Sequence, residues 1–295
     1  YFGDLLVYSG MGAEGLNPSP TSCADHSDGN FIFTSAVSCD LAGDSFPDIV
    51  ILRTDGTFDF SLSIFSNQEG SFQSPLSFKL PCTDWCTYQD LACGDINGDG
   101  RMDIVLSGAA EVAKHALLLF YGTGKVSSFP KQPSVAVSST DLVLGVDIHD
   151  INRDGYGDIL GATVGNPALN VWFGRKSFDS TTPPDFASSE RTNAGFGVQG
   201  LPNLNGKGTN EIFLWSNIRF SEEYEGCISV IYDIPDGGSS PSSGDNSVAV
   251  GAGIGVTVGV LVIGAVAGIV LRRRSKFLVV KFIRLYEKRA EHSAN

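Results

Sequence analysis

An acidic loop that recurs at a fixed interval is the feature that most constrains the fold of this chain. The segment DINGDGRMDIVL begins at Asp95, and related segments begin at Asp40, Asp150 and Asn203, at intervals of 55, 55 and 53 residues. A strand pattern rich in β-branched and aromatic residues, such as ISVIYD at 228–233, follows each loop. A period of this length with several short strands and no helical pattern predicts an all-β repeat fold.

Each repeat has the size of one blade of a β-propeller, which takes roughly 50 to 60 residues in four short strands. In the third repeat we expect the first strand at 142–148, the second at 158–162 and the third at 169–173. A weaker fourth strand precedes a Pro/Ser-rich link. The sequence therefore predicts an all-β β-propeller, of which this chain supplies an incomplete set of roughly four to five blades.

The connections between repeats are predicted to lie on the face opposite the acidic loops, because the first two strands of each repeat form a tight hairpin. These connections cover 80–90, 129–141 and 180–193. The first of them contains Trp85 and Tyr88, and an aromatic flanked by two cysteines is a reasonable anchor for a partner. We expect a protein or glycan to bind on this face. Packing of Trp85 between adjacent blades is the alternative.

The acidic loops carry oxygen donors at alternate positions, which point inward in a tight loop. Such oxygens suit a hard cation with roughly six to eight oxygen ligands, and calcium (Ca2+) fits best. The predicted ligands are Asp95, Asn97, Asp99, the carbonyl of Arg101 and Asp103 in the second loop, and Asp150, Asn152, Asp154, the carbonyl of Tyr156 and Asp158 in the third. A polar hairpin that binds no metal is the alternative.

An EF-hand is the first competing interpretation of these loops. It requires a bidentate Glu at position 12, where the three Asp-rich loops hold Ile51, Leu106 and Gly161. The residues that follow have the pattern of a strand and not of a helix. The sequence therefore favours hairpin loops over EF-hands.

The first and fourth loops depart from this pattern. The first has Ala42 at position 3 and Ser45 at position 6, so we expect a weaker site there. Its remaining predicted ligands are Asp40, Asp44 and Asp48. The fourth loop has Lys207 at position 5, and an ammonium there neutralises Glu211 internally. No metal is expected in the fourth loop.

The D-x-N-x-D-G-x-x-D loops resemble the FG-GAP repeats of the integrin α-subunit β-propeller. The resemblance covers about residues 1–235, and traces of the name-giving residues persist at Phe196-Gly197, Gly108-Ala109 and Gly161-Ala162. It implies a β-propeller with calcium in the loops of one face and ligand or partner binding on the other. The family's propeller has more blades than this chain supplies, and no GFFKR sequence follows the C-terminal apolar segment.

An uncharged segment divides the chain into two parts of opposite charge. Residues 1–247 have a net charge of −19, and residues 248–295 have a net charge of +6. A helix over the uncharged residues 247–271 covers about 37 Å, more than the ~30 Å hydrocarbon core. Four basic residues follow within 272–276, so the positive-inside rule predicts a single-pass type I membrane protein. A buried core helix is the alternative.

The predicted organisation is an FG-GAP β-propeller ectodomain at 1–235, a Gly/Ser stalk at 236–246, a transmembrane helix at 247–271 and a basic cytoplasmic tail at 272–295. The plasma membrane is the expected location. Small residues within the span form a stripe that permits close packing with a partner helix. They are Gly251, Gly255, Gly259, Gly264 and Gly268. Nucleic acid is not an expected partner, because it requires a basic footprint.

All six cysteines precede the predicted span and lie in the compartment where disulfide bonds persist. Sequence does not choose among their possible pairings. A zinc site built from Cys82, Cys86 and Cys93 is the competing interpretation. It lacks a C-x2-C pair and a nearby histidine, so we favour disulfides.

No catalytic constellation is evident in the sequence. The four histidines are scattered, and the carboxylates follow the period of the loops instead of forming one glycosidase pair. We therefore expect a protein that is not an enzyme, with no catalytic or organic cofactor-binding residues. The predicted function is recognition of a protein or glycan, as in a cell-adhesion or receptor-like protein. The alternative is a structural subunit of a larger membrane complex, with the propeller as a lumenal scaffold.

Overall fold

The computed structural model describes residues 6–7, 21–22, 32–56, 59–81, 87–110, 113–139, 142–163, 168–188, 197–203, 209–220, 223–231 and 248–250. Antiparallel strands make up nearly all the regular structure in these residues, which confirms the predicted all-β class. One turn of 3-10 helix, Val126–Ser128, is the exception among them. No helix in this part of the chain has the length and apolarity needed to cross a membrane.

Four four-stranded sheets account for most of the described strands. In chain order the strands are β1 (Leu6–Val7), β2 (Thr21–Ser22), β3 (Ile32–Cys39), β4 (Asp48–Thr54), β5 (Phe60–Phe65), β6 (Asn67–Gln68), β7 (Ser71–Phe72), β8 (Leu76–Lys79), β9 (Thr87–Gly94), β10 (Asp103–Ala110), β11 (Ala113–Phe120), β12 (Val135–Ser138), β13 (Val143–His149), β14 (Asp158–Thr163), β15 (Leu169–Trp172), β16 (Phe186–Ala187), β17 (Gly197–Leu201), β18 (Glu211–Phe220), β19 (Glu223–Ile231) and β20 (Val248–Val250). The first sheet has the order β3-β4-β5-β8, and β6 and β7 form a small separate hairpin. The second, third and fourth sheets contain β9 to β12, β13 to β16 and β17 to β20, each in sequential order.

Each sheet is an antiparallel meander whose first two strands are joined by an acidic loop. In the third sheet, β13, β14 and β15 lie within one residue of their predicted bounds. The fourth strands differ from the prediction, because β12 and β16 lie inside the segments 129–141 and 180–193 that the sequence assigns to links. These strands are short and their flanks are rich in Pro and Ser, so their sequence pattern is that of a loop.

Consecutive sheets pack face to face, and the apolar side chains between them form the core. Ile104 and Leu106 of β10 contact the first sheet, whereas Val105 of the same strand contacts the third sheet. Trp172 is fully buried in the layer between the second and third sheets, and Ile212 is fully buried in the layer between the third and fourth. Because β10 is covered by a neighbouring sheet on each face, Ile104, Val105 and Leu106 are all buried. Its sequence there is therefore an uninterrupted apolar run and not an alternation of apolar and polar residues.

The first strands of consecutive sheets lie side by side. Asp90 in β9 accepts hydrogen bonds from the Ser35 hydroxyl in β3 at 2.7 Å and from the N–H of Val146 in β13 at 3.2 Å. Asp147 in β13 accepts the N–H of Gly200 in β17 at 2.7 Å. Burial raises the pKa of Asp147, while the N–H donors and nearby His149 lower it. Side-chain carboxylates therefore link all four sheets through their first strands.

The predicted membrane span lies almost wholly outside the described residues. Its residues Val248–Val250 form β20, the edge strand of the fourth sheet, and valine is favoured in strands. Residues 251–271, which include the five stripe glycines, and the tail at 272–295 lie outside the description. The stalk at 236–246 lies outside it as well.

Candidate metal centre in the acidic loops

The second loop, 95–103, folds around the side chain of its first residue, Asp95. Its Oδ1 accepts the N–H groups of Gly98 at 2.7 Å and Asp99 at 3.2 Å, and its Oδ2 accepts that of Gly100 at 2.8 Å. Gly98 and Gly100 have φ of +72° and +79°, a left-handed conformation that glycine adopts without steric cost. The two glycines thus wrap the backbone around the carboxylate.

Side chains at the next alternate positions close the same loop. Asn97 Oδ1 accepts the N–H of Asp99, and Asp99 Oδ1 accepts the N–H of Arg101, both at 2.9 Å. The Arg101 guanidinium lies 3.8 Å from Asp99 Oδ2, and both side chains are exposed, so this ion pair adds little stability. The turn lined with oxygens is therefore built by contacts within the loop.

The third loop, 150–158, repeats this arrangement. The N–H of Asp154 donates to Asp150 Oδ1 and to Asn152 Oδ1, each at 3.1 Å. The N–H of Gly155 donates to Asp150 Oδ2 at 3.1 Å, and that of Tyr156 donates to Asp154 Oδ1 at 2.9 Å. In both complete loops the structure thus brings the predicted ligands at positions 1, 3 and 5 into one turn.

The first loop, 40–48, keeps the turn but has fewer oxygen donors. Asp40 accepts the N–H groups of Gly43 at 2.7 Å, Asp44 at 3.0 Å and Ser45 at 2.7 Å. Ala42 supplies no oxygen at position 3. Ser45 has a φ of +72°, which costs a non-glycine residue roughly 1 to 3 kcal/mol. Arg153 of the third loop has a φ of +64°, so this strain does not set the first loop apart, and the missing oxygen at position 3 is the physical reason to expect a weaker site here.

The last predicted ligand of each of these loops is a buried carboxylate. Asp103 has no exposed surface, and its Oδ2 accepts the N–H of Ile96 at 3.1 Å. Its Oδ1 accepts the N–H of Gly122, just after β11, at 2.7 Å. The carboxylate therefore joins the loop to the end of the third strand of the sheet. The equivalent bonds are made by Asp48 with Leu41 and Asn67, and by Asp158 with Ile151 and Gly174.

Burial raises the pKa values of these carboxyl groups. The pKa of Asp103 rises to about 7 and that of Asp158 to about 6, chiefly by desolvation, and nearby loop carboxylates add to the rise. Their N–H donors act in the opposite direction but do not cancel the desolvation. The pKa of Asp48 is raised by burial too. A positive ion close to a buried carboxylate lowers its pKa again, because it stabilises the charged form of the carboxyl group against desolvation.

The donor set of the second and third loops fits calcium by its chemistry. Within the described residues, no three His, Cys, Asp or Glu side chains form a group able to hold a metal ion. The loop sets also include Asn and a backbone carbonyl, so all their donors are oxygens, as calcium prefers. Asp95 Oδ2 and Asn97 Oδ1 each accept one N–H and keep a second lone pair for a cation, whereas Asp95 Oδ1 accepts two. Calcium binding by these residues stays a prediction.

The fourth loop, 203–211, is described only at its ends. The N–H of Asn203 donates to Asn210 Oδ1 at 3.0 Å, and Glu211 is buried. Asn205 and Lys207 lie outside the described residues, so the internal neutralisation of Glu211 stays a prediction.

Tyr88 does not lie on a binding surface, and that prediction is wrong. Its side chain is 1% exposed, its ring packs edge-on against Phe60 at 5.3 Å, and its hydroxyl donates to the Pro81 carbonyl at 2.6 Å. Tyr88 belongs to β9, which begins at Thr87, so its ring fills the layer between the first and second sheets. Trp85 lies outside the described residues.

A disulfide bond joins Cys39 to Cys93, whose Cα atoms lie 6.3 Å apart. This pairing removes Cys93 from the alternative zinc site. Each cysteine lies at the end of a first strand, just before an acidic loop. Their separation of 54 residues matches the period of the repeat, and this match was the signal that sequence reasoning missed.

Comparisons with known proteins identify the repeat. Residues 40–106, from the first loop into β10, match the model of a family described as FG-GAP-like repeat. No curated protein sequence matches this chain. A similar solved structure is the crystal structure of AofleA from Arthrobotrys oligospora, with 9% identity and a TM-score of 0.42 over 75% of this chain and 57% of that chain. This chain therefore contains an FG-GAP-like repeat at residues 40–106, as its acidic loops predict.

Proposed function

We propose that this chain is the propeller and anchor of a single-pass membrane protein that recognises a protein or glycan partner outside the cell. The observation that carries the proposal is the repetition of one unit. A four-stranded antiparallel sheet with an acidic hairpin loop recurs at intervals of 53 to 55 residues, and residues 40–106 match the FG-GAP-like repeat model. Calcium in the second and third loops stabilises one end of the sheets, and the other end is left for binding.

Exposed apolar side chains support a partner site at the end opposite the loops. Strand β3 enters the first acidic loop at its C-terminal end, so its first residue, Ile32, lies at the opposite end of the sheet. Ile32 is 48% exposed. At the loop end, Phe46 is 38% exposed and provides a matched apolar side chain. Phe33, the next residue, is 36% exposed as well, and neighbouring exposed apolar side chains mark interaction sites more than single ones do.

The test measures adhesion of cells that display the full chain at their surface. Ile32→Ser removes an apolar side chain at the proposed binding end, and Phe46→Ser removes one at the loop end. We expect calcium-dependent adhesion to a panel of target cells for the wild type and Phe46→Ser, and a loss for Ile32→Ser. Protease or glycosidase treatment of the target cells then distinguishes a protein partner from a glycan.

Two results count against the proposal. If cells that display the wild type adhere no more strongly than cells without the chain, the proposed receptor function is wrong. Recovery of the chain only in a fixed ratio with other membrane proteins would favour the structural-subunit alternative. Equal surface amounts of the three proteins, measured by antibody labelling, are the necessary control.

A further inference from the structure

The third loop lies directly against the second. The ring of Tyr156 covers Gly98 so closely that a Cβ at Gly98 would overlap it. The N–H of Gly157 donates to the carbonyl of Asp95 at 2.7 Å. The first predicted ligand residue of the second loop is therefore held in place by the backbone of the third.

A hydrogen-bonded relay also joins the buried carboxylates of these two loops. Asp158 Oδ1 accepts the N–H of Gly174 at 2.8 Å, and the next residue, Arg175, donates its N–H to the Ile96 carbonyl at 3.0 Å. The N–H of Ile96 in turn donates to Asp103 Oδ2 at 3.1 Å. The backbone of Gly174 and Arg175 and that of Ile96 thus connect the last predicted ligand of the third loop to that of the second.

The first and second loops are joined in a different way. The residues equivalent to Gly157 and Arg175 are Met102 and Thr123, and neither donates its N–H to the first loop within the described residues. The Cys39–Cys93 disulfide links the two repeats instead, and it ends before the loops begin. Among the three Asp-rich loops, the second and third are therefore joined by direct hydrogen bonds, whereas the first and second lack this relay within the described residues.

The fourth loop forms hydrogen bonds with the third loop. Its own sequence lacks the complete set of oxygen donors that a metal site needs. The N–H of Asn210 donates to the Ile151 carbonyl at 3.0 Å, and its Nδ2 donates to the Asp150 carbonyl at 2.6 Å. Arg153 Nη2 donates to Asn210 Oδ1 at 3.1 Å. This support comes from an amide side chain and backbone, so it holds Asp150 and Ile151 before any cation binds but does not reach Tyr156 or Gly157.

We infer that the second and third loops bind calcium with positive coupling, whereas the first loop binds independently of them. The inference rests on the proposed calcium binding of these loops. Calcium in the third loop orders Tyr156, Gly157 and the relay through Asp158. The same groups hold Asp95 and Ile96, so the second loop loses less conformational freedom when it binds its own cation.

The test is a calorimetric calcium titration of the full chain in detergent micelles. Asp44→Ala silences the first loop in every sample, and Asp99→Ala or Asp154→Ala is then added to silence the second or third loop. The coupling factor is the product of the two binding constants in the two-site protein divided by the product of the single-site constants. We expect a factor of at least about five, the lower end of the usual range for coupled sites.

A second measurement shows the coupling without a cation in the second loop. In the protein with Asp44→Ala and Asp99→Ala, only the third loop binds calcium. We expect added calcium to slow amide hydrogen exchange in residues 95–101 and to leave residues 40–46 unchanged. Tyr156→Ala, which keeps every ligand oxygen, should lower the coupling factor, whereas Phe46→Ala at the same loop position should not.

The possible failures are distinguishable. A coupling factor of one, with two working sites and no change in exchange at 95–101, overturns the inference and leaves calcium binding intact. The absence of any calcium binding by the wild type overturns both the inference and the calcium part of the proposed function. A loss of slowed exchange only after Tyr156→Ala supports contact between the loops as the cause.

Discussion

Replacing Asp99 by alanine should destabilise the protein only when calcium is present. Asp99 lies at position 5 of the second loop, and the contacts of its side chain are weak without a cation. They are one hydrogen bond from the Arg101 N–H at 2.9 Å and an exposed ion pair at 3.8 Å. The Asp99 charge also raises the pKa of Asp103, so its removal relieves a repulsion. In calcium-free buffer we expect a change within about 1 kcal/mol.

With calcium present, the variant loses the stabilisation that binding adds to the folded state. That stabilisation is about 1.4 kcal/mol when the free calcium is ten times the dissociation constant, and about 2.7 kcal/mol at one hundred times. For a domain of this size the loss corresponds to a decrease of about 3 to 10 °C in the melting temperature. About 1 mM free calcium gives the tenfold ratio for the tighter extracellular calcium modules, and about 10 mM gives the hundredfold ratio.

The assay is thermal unfolding of the full chain, followed by circular dichroism, with excess calcium and with chelator. Asp59→Ala is the matched control, because it also removes an exposed carboxylate with one ion-pair partner, Lys79 at 2.7 Å. The control should melt like the wild type in both buffers to within the range expected of a surface pair. Equal melting of Asp99→Ala and wild type in calcium would refute the assignment of the second loop as a calcium site.

Four further predictions follow from the contacts. Replacing Cys39 and Cys93 by alanine should lower the free energy of unfolding by about 4 kcal/mol, as expected for a crosslink across this length of chain; urea unfolding checks this, and wild type in reductant should match the variant. Burial raises the pKa of Asp103 from 3.8 to about 7 in the folded protein. The folded state therefore binds a proton more tightly than the unfolded state, and protonation of Asp103 stabilises the fold. This contribution is complete below about pH 4 and is lost as the pH rises through about 7, so calcium-free protein should unfold at lower urea at pH 8 than at pH 5, and less so in Asp103→Asn. Asp90→Ala leaves the Val146 N–H without its acceptor and should cost about 1 to 3 kcal/mol, whereas an unchanged urea midpoint would contradict this role. Gly122→Ala places a Cβ against the Met102 carbonyl oxygen and should destabilise by about 1 to 3 kcal/mol, with faster unfolding in a stopped-flow experiment.

The loops and their strands were predictable because their determinants are local. Asp95 bonds to N–H groups three to five residues ahead, and the glycines that permit this turn lie in the same loop. The strands before and after each loop follow from apolar runs that repeat with the same period. Once one repeat unit is recognised, the period of about 55 residues locates the others in the sequence, without knowledge of how the units pack.

Two predictions failed where a contact between distant segments decides the outcome. The sequence marks Tyr88 as an aromatic in a polar link, but strand β9 carries it into the layer between two sheets. Strand β12 has a pattern too short to distinguish from a loop, and its pairing with β11 makes it a strand. In both cases the free energy comes from burial against residues that local patterns do not identify.

The amino-acid sequence by itself determined the repeat, the all-β class and the residues that line each acidic loop, since each of these depends on neighbours within one hairpin. Only the tertiary structure decided which repeats touch and how. It placed Cys39 beside Cys93, joined Asp90 to strands on both sides and set Tyr156 on Gly98. These pairs are separated by about one repeat, and their contacts form only when the sheets pack, because closing such long segments costs entropy that burial of the layers between them must offset.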